Sequence, residues 1–161
     1  MERVRCDNAP VPFVLNSVNM EYFTLNELCR SNTAQHYGIT NKPDAQAVRN
    51  LNALVDHVLD PLRRQFGKPI YVNSGYRCPQ LNKAVGGAVS SQHMRGEAAD
   101  IRADDMDALA NLIADMRARG RLHADQIIYE HTRVVDGKLV PQWIHISYTT
   151  RRENRNQLLV H

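Results

Sequence analysis

The stretch Ser91-Gln92-His93-Met94-Arg95-Gly96-Glu97-Ala98-Ala99-Asp100 places an imidazole and a carboxylate seven positions apart, with a glycine between them. Imidazole nitrogen and carboxylate oxygen are both zinc donors at about 2.0 to 2.2 Å, so two of them on one tetrahedral ion lie only about 3.3 Å apart. Seven residues of extended strand would separate His93 from Asp100 by about 23 Å, and seven of helix by about 10 Å. Neither regular element permits a shared ion. Gly96 is free to adopt positive φ and lets the chain fold back, so that a histidine in a loop meets an aspartate on the strand that follows. By spacing alone, a loop and strand carrying His and Asp with no ion between them satisfy the pattern equally well.

Working outward, Ala98 to Ala103 reads as a short strand, and Val85 to Gly96, rich in Gly and Ser, as an ordered loop. Upstream, Ile70 to Asn73 reads as a strand entering the turn Ser74-Gly75-Tyr76-Arg77, and residues 80 to 85 as a helical turn. Before Gly67-Lys68-Pro69, Asp44 caps a long helix that carries Val48, Leu51, Leu54, Val55, Val58, Leu59 and Leu62 at helical spacing, a core stripe. His57 in that helix has no liganding neighbour. Thr24 and Glu27 form a capping box for a short helix that fades near Ser31 to Thr33.

Downstream, Asp104 or Asp105 caps a helix with Leu109, Leu112, Ile113 and Met116, ended by Gly120. Gln126 to Arg133 and Lys138 to Tyr148 then flank Asp136-Gly137, a type I′ hairpin signature. The order of helices, strands, helix and hairpin indicates an α+β fold with a small antiparallel sheet and helices packed on it. With no repeat, low-complexity tract or linker, residues 1 to 161 read as a single domain.

The ten-residue stretch resembles the S-x-H-x-x-G-x-A-x-D motif of the zinc D-alanyl-D-alanine carboxypeptidase family, whose fold is shared with the Hedgehog signalling domain. Ser74-Gly75-Tyr76-Arg77 and Trp143-Ile144-His145-Ile146-Ser147 are similar to further family motifs in the same order. The likeness covers roughly residues 20 to 150. It implies one zinc ion held by His93, Asp100 and His145, with a fourth position open for chemistry. It also implies an amide-hydrolysing peptidase acting on peptidoglycan stem peptides, as a carboxypeptidase or an endolysin-type endopeptidase; the alternative is a zinc-bearing binding module of the same fold without catalysis.

Two departures bear on catalysis. Some relatives place a Glu or Asp three residues before the last histidine, where this chain has Gln142, which takes no proton. Two residues before it, some carry a histidine where this chain has Trp143. Hairpin pairing supplies a replacement base: with Asp136 and Gly137 as the turn, Glu130 faces Trp143 and shares a face with His145 on the diagonal, about 7 to 8 Å away along the backbone. A bulge at Pro141 would shift that register and leave Glu130 a surface carboxylate. Tyr129-Glu130 also resembles the Tyr-Glu before the last metal histidine of the Hedgehog domain. Arg77 is the candidate grip on a carboxylate or an oxyanion, a role the resemblance implies. Ser91, Gln92 and Trp143 complete the candidate substrate contacts, with Ser91 expected to cap its loop.

Bulk composition narrows the partners. The 161 residues, 43% apolar and 23% charged, are globular in kind. A formal charge of +3 with 6% aromatics and no aromatic stripe does not describe a nucleic-acid reader. Arg151, Arg152 and Arg155 read as a solvated basic tail, or as an attraction to an anionic cell wall or membrane surface. Cys6, Cys29 and Cys78 suit reduced thiols. The opening MERVRCDNAPVPFVLN, broken by Pro12, lacks a secretory apolar core, and no segment is long enough to span a membrane. A cytoplasmically made lysis enzyme of phage or prophage type is the expectation; oligomeric state is open.

Overall fold

The computed structural model describes residues 20–161; Cys6 and the opening segment lie outside them. Thr24 Oγ1 accepts from Glu27 N at 3.1 Å and starts α1 (Leu25–Cys29). The helix does not fade afterwards. Ser31 Oγ accepts from Ala34 N and opens a second short helix, α2 (Asn32–His36), which the sequence reading missed because its five residues hold too few apolar positions to show a period.

Asp44 caps α3 (Ala45–Leu54), whose axis runs on through a π turn (Val55–Leu59) into α4 (Asp60–Phe66), ended by left-handed Gly67. Pro61 explains the π turn. Its ring would strike the carbonyl four residues back in an α-helix and it has no N–H to give. Widening the preceding turn, with Asp60 N donating to Val55 O, removes that conflict without breaking the axis. Leu51, Leu54, Val55, Val58, Leu59 and Leu62 of the stripe are fully buried, while Val48 at its start is only half-buried. Asp60 also takes the backbone N–H groups of Glu21 and Tyr22, pinning the start of the described chain. His57 stacks on Tyr148 at 4.7 Å between ring centres, a packing role.

The remaining elements are β1 (Tyr71–Ser74), α5 (Pro79–Ala84), a 3₁₀ turn (Gln92–Arg95), β2 (Ala98–Arg102), α6 (Met106–Ala118), β3 (Gln126–Glu130), β4 (Arg133–Val135), β5 (Lys138–Val140), β6 (Trp143–Ser147) and β7 (Gln157–Val160). Asp105 is the residue that caps α6. Five strands form one sheet in the order β1-β2-β6-β3-β7, while β4 and β5 pair separately. The antiparallel pairing expected from sequence holds for β1, β2, β6 and β3, and β7 departs from it by joining β3 in parallel. A strand after a single hairpin can reach the free edge of β3 only by passing the end of β3, and residues 149–156 make that passage.

Alternation assigns the two faces of the sheet. Ala99, Ile101, Ile127, Tyr129, Ile144 and Ile146 point into the core with the long helix stripe and with Leu109, Ile113 and Met116 of α6. Tyr129 finds a hydrogen-bond partner there in Ala110 O at 2.6 Å. Asp100, Glu130, Trp143 and His145 occupy the opposite, less covered face.

Candidate metal centre

Register alone brings two of the three expected donors side by side. Asp100 on β2 pairs with His145 on β6, and neighbouring β1 puts Ser74 on the other side of Asp100. His93 arrives from the 3₁₀ turn. Ser91 Oγ accepts from His93 N, Gly96 at φ 71° reverses the chain, and Glu97 N donates to Gln92 O. Gly96 also has no room for a side chain: a Cβ would sit 2.5 Å from Ala47 O.

His93 is buried and its Nδ1 lies 2.7 Å from Gly75 O. A carbonyl can only accept, so Nδ1 carries the proton and Nε2 presents its lone pair outward. Gly75 can come so close because it lacks a side chain; a Cβ there would be 2.2 Å from Leu28 O. Around His93 Nε2, the atoms His145 Nδ1 and Asp100 Oδ1 stand at 3.2 and 3.3 Å, and at 3.0 Å from each other. This near-equilateral triangle matches one face of a zinc tetrahedron, whose edge is about 3.3 Å. Three lone-pair-bearing atoms converge, and one proton cannot satisfy all three pairs; a divalent cation does. Two nitrogens and one carboxylate oxygen are also the donor chemistry zinc takes in catalytic sites.

Electrostatics agree with that use. Burial, the largest influence, keeps the His93 ring below its ordinary pKa and therefore neutral, with Asp100 opposing. For Asp100 burial alone would raise the carboxyl, but hydrogen bonds from His145 and His93 outweigh it and hold the group well below the usual carboxylate range.

Arg77 follows β1 in the turn read from sequence. Its Nη2 donates to Asp100 Oδ2 at 3.0 Å and its Nε to Ser74 Oγ at 2.8 Å. The guanidinium therefore orients the second oxygen of the metal carboxylate. Ser91 caps, as the sequence indicated. Gln92 is committed too, donating to Asp125 Oδ2 at 3.0 Å.

Glu130 pairs with Trp143, and Ile128 faces His145. The register feared lost at Pro141 is kept because both strands are interrupted by two residues, His131-Thr132 against Pro141-Gln142, so Arg133 still pairs with Val140. Glu130 thus shares the metal face, diagonal to His145, with its carboxylate 3.4 Å from His161 Nδ1. It is not one of the three converging donors. Trp143 is half-buried under His131, ring centres 4.6 Å apart.

A family model described as Peptidase M15 matches residues 21–136. The chain belongs to that family. The matched span of this M15 chain contains His93, Asp100 and Glu130 but stops short of His145, which enters the site through the β2–β6 register. The chain is also 43% identical over 83 residues to the zinc D-Ala-D-Ala carboxypeptidase of Streptomyces albus G, a match covering 50% of this chain and 31% of that protein. It therefore spans about a third of the length of that relative.

Sequence reasoning missed the supports behind the triad. Glu97 is fully buried and receives Arg151 through two nitrogens at 2.6 and 2.9 Å, Arg95 and Thr149. Asp125, equally buried, receives both Arg152 and Arg155 in paired contacts of 2.7 to 3.1 Å, besides Gln92. Burial would raise both carboxyls, yet the arginines hold them below the usual range. The arginines read from sequence as a solvated tail are thus clamps that fasten residues 149–156 to the metal loop. Nothing in local sequence pairs Arg151 with Glu97, fifty-four positions away.

Proposed function

We propose that this protein is a zinc-dependent peptidase that hydrolyses a peptide bond in peptidoglycan stem peptides or cross-links, one that involves a D-amino acid. The observation that carries the reading is the triangle of His93 Nε2, Asp100 Oδ1 and His145 Nδ1, with sides of 3.0 to 3.3 Å on the less covered face of the sheet. The substrate class rests on membership of the M15 family and on the likeness to the Streptomyces albus G carboxypeptidase.

Zinc held there supplies a Lewis acid that acidifies water and polarises a scissile carbonyl. The chain's own groups do the rest. Gly75 O and Arg77 fix the donors His93 and Asp100 in the orientation a cation requires. Glu130 is the carboxylate on that face able to take a proton from the attacking water and return it to the leaving amine, a role Gln142 cannot fill. Ile128 faces His145 across the ladder, and Trp143 lies two residues from that histidine on the same face. Peptidoglycan lies outside the cytoplasm, so this reading sets the working place at the cell wall, in the manner of an endolysin of phage or prophage origin; a formal charge of +3 suits that anionic surface.

The test pairs metal analysis with digestion. Purified protein carrying one zinc should release amino groups from purified walls, mass spectrometry of the fragments should identify the bond, and Glu130→Gln should keep zinc but lose release. Zinc retained by the wild type with no turnover on walls or synthetic stem peptides would instead favour the binding module, the reading to which Gln142 and Trp143 lend weight.

A further inference from the structure

Glu130 stands between an indole and an imidazole. On one side its partner in the ladder is Trp143 of β6. On the other, β7 runs parallel to β3 with Val160 opposite Tyr129, so the next residue, His161, comes level with Glu130. Two backbone bonds hold it there: His161 N donates to Tyr129 O, and Thr132 N donates to His161 O, each at 2.8 Å. The second bond passes over His131, which takes φ 49° as an extra residue in the ladder.

Residues level with each other on adjacent strands point to the same side of the sheet, about 4.8 Å apart. The His161 ring therefore lies on the metal face beside the carboxylate, with Nδ1 3.4 Å from Glu130 Oε2. Across that face the order runs Asp100, His145, Glu130, His161, on β2, β6, β3 and β7 in turn. His161 thus meets Glu130 from the side away from the metal donors. Among the described residues it is the basic side chain within ion-pair distance of this carboxylate. Its own side chain is 57% exposed, so it adds little to the core, and the pairing of β7 runs through backbone groups.

A glutamate side chain turns about several bonds, whereas a general base has to sit within hydrogen-bond reach of the proton it takes. An imidazole behind one oxygen restricts those turns and leaves the other oxygen for the attacking water. We propose that His161 is a positioning residue, whose Nδ1–H holds Oε2 of Glu130 and so aims the base. At 3.4 Å the contact is longer than a hydrogen bond, as catalytic contacts often are before substrate arrives. The inference rests on the peptidase reading above and deepens it by assigning the group that orients its base.

The experiment compares zinc-loaded wild type, His161→Ala and His161→Asn on synthetic stem peptides. The asparagine amide puts an N–H near the place of Nδ1 without the ring. His161→Ala should lose about tenfold in kcat, the scale of one hydrogen bond to a charged group, at unchanged KM, zinc content and melting temperature. His161→Asn should recover most of that loss. The control His123→Ala, which removes an exposed histidine from the loop before β3, should match the wild type. An alanine variant with the wild-type kcat would overturn the proposal, as would a loss that asparagine leaves unrepaired or that comes with lost zinc. Glu130→Gln working at the wild-type rate would remove the base and this proposal with it. If the wild type cleaves nothing, the peptidase reading fails, and nitrogen NMR of the zinc-loaded protein judges the pair by itself. A His161 Nδ1 resonance that moves on Glu130→Gln then supports the contact, and an unmoved one refutes it.

Discussion

Replacing Gly96 by alanine tests the fold-back on which the metal centre depends, and the structure lets the cost be divided. Gly96 sits at φ 71°, where a β-carbon costs about 1 to 2 kcal/mol of backbone strain. Its new methyl would also lie 2.5 Å from Ala47 O and 3.1 Å from Leu51 Cγ. The first partner is helix backbone and the second a fully buried side chain, so neither yields freely, and overpacking of this kind adds about 1 to 3 kcal/mol. Gly120→Ala isolates the backbone part, because Gly120 has φ 66° and nothing within 4 Å of a Cβ. Urea unfolding of the metal-free proteins should therefore show Gly96→Ala losing about 2 to 5 kcal/mol and Gly120→Ala only about 1 to 2. Zinc stoichiometry should fall for Gly96→Ala alone, since relief of the contact moves the turn that carries His93. Equal destabilisation of the two variants, or full zinc retention in Gly96→Ala at unchanged affinity, would refute the reasoning.

Chelation should lower the melting temperature, because an ion bound only by the folded state at a thousand times its Kd contributes about 4 kcal/mol; an unchanged melting curve in excess chelator is the contrary result. Zinc should also be shed on acidification: the His93 pKa is depressed in the fold, so the unfolded state binds more protons once pH falls below the ordinary value of about 6.5, and stability and affinity decline together from there. Glu97 and Asp125 are depressed carboxylates, so their contribution is whole at neutral pH and is lost only as pH falls below about 4, which a second acid transition in circular dichroism should reveal. Arg77→Lys keeps the charge but loses the two-point hold on Ser74 and Asp100, and should weaken zinc binding about tenfold by competition assay.

The parts legible in sequence are those where local chemistry dictates local geometry. Thr24, Asp44 and Asp105 accept the N–H groups a helix start leaves open, and each was readable because a short polar side chain precedes an apolar period. The type I′ turn was readable because Asp136 and Gly137 both need positive φ, and both have it. What sequence did not disclose is long-range. β7 is four residues whose pairing is set by a passage around the end of β3, and the partners of Glu97 and Asp125 are chosen by that same passage. The Arg77–Asp100 contact went unread for a related reason: a turn residue shows what it could grip, while β1–β2 pairing decides that Asp100 is within its reach.

The hairpin shows why the metal site tolerates such irregular surroundings. A single inserted residue on one strand would have turned Glu130 to the core face, because side chains alternate with period two. Here the chain interrupts both strands at once, with His131 at φ 49° on one side and Pro141 on the other, and two residues on each keep the parity. Gln142 N still donates to Glu130 O across the gap at 2.9 Å, and Thr132 N is taken by His161 O beyond β7. Deleting His131 alone should therefore do more than shorten a loop. It would break the match with Pro141-Gln142 and either shift Glu130 off the metal face or unpair β4 from β5. Hydrolysis lost with zinc retained would mark the first outcome, and near-normal hydrolysis with β4 still paired to β5 would show that Glu130 is not the base.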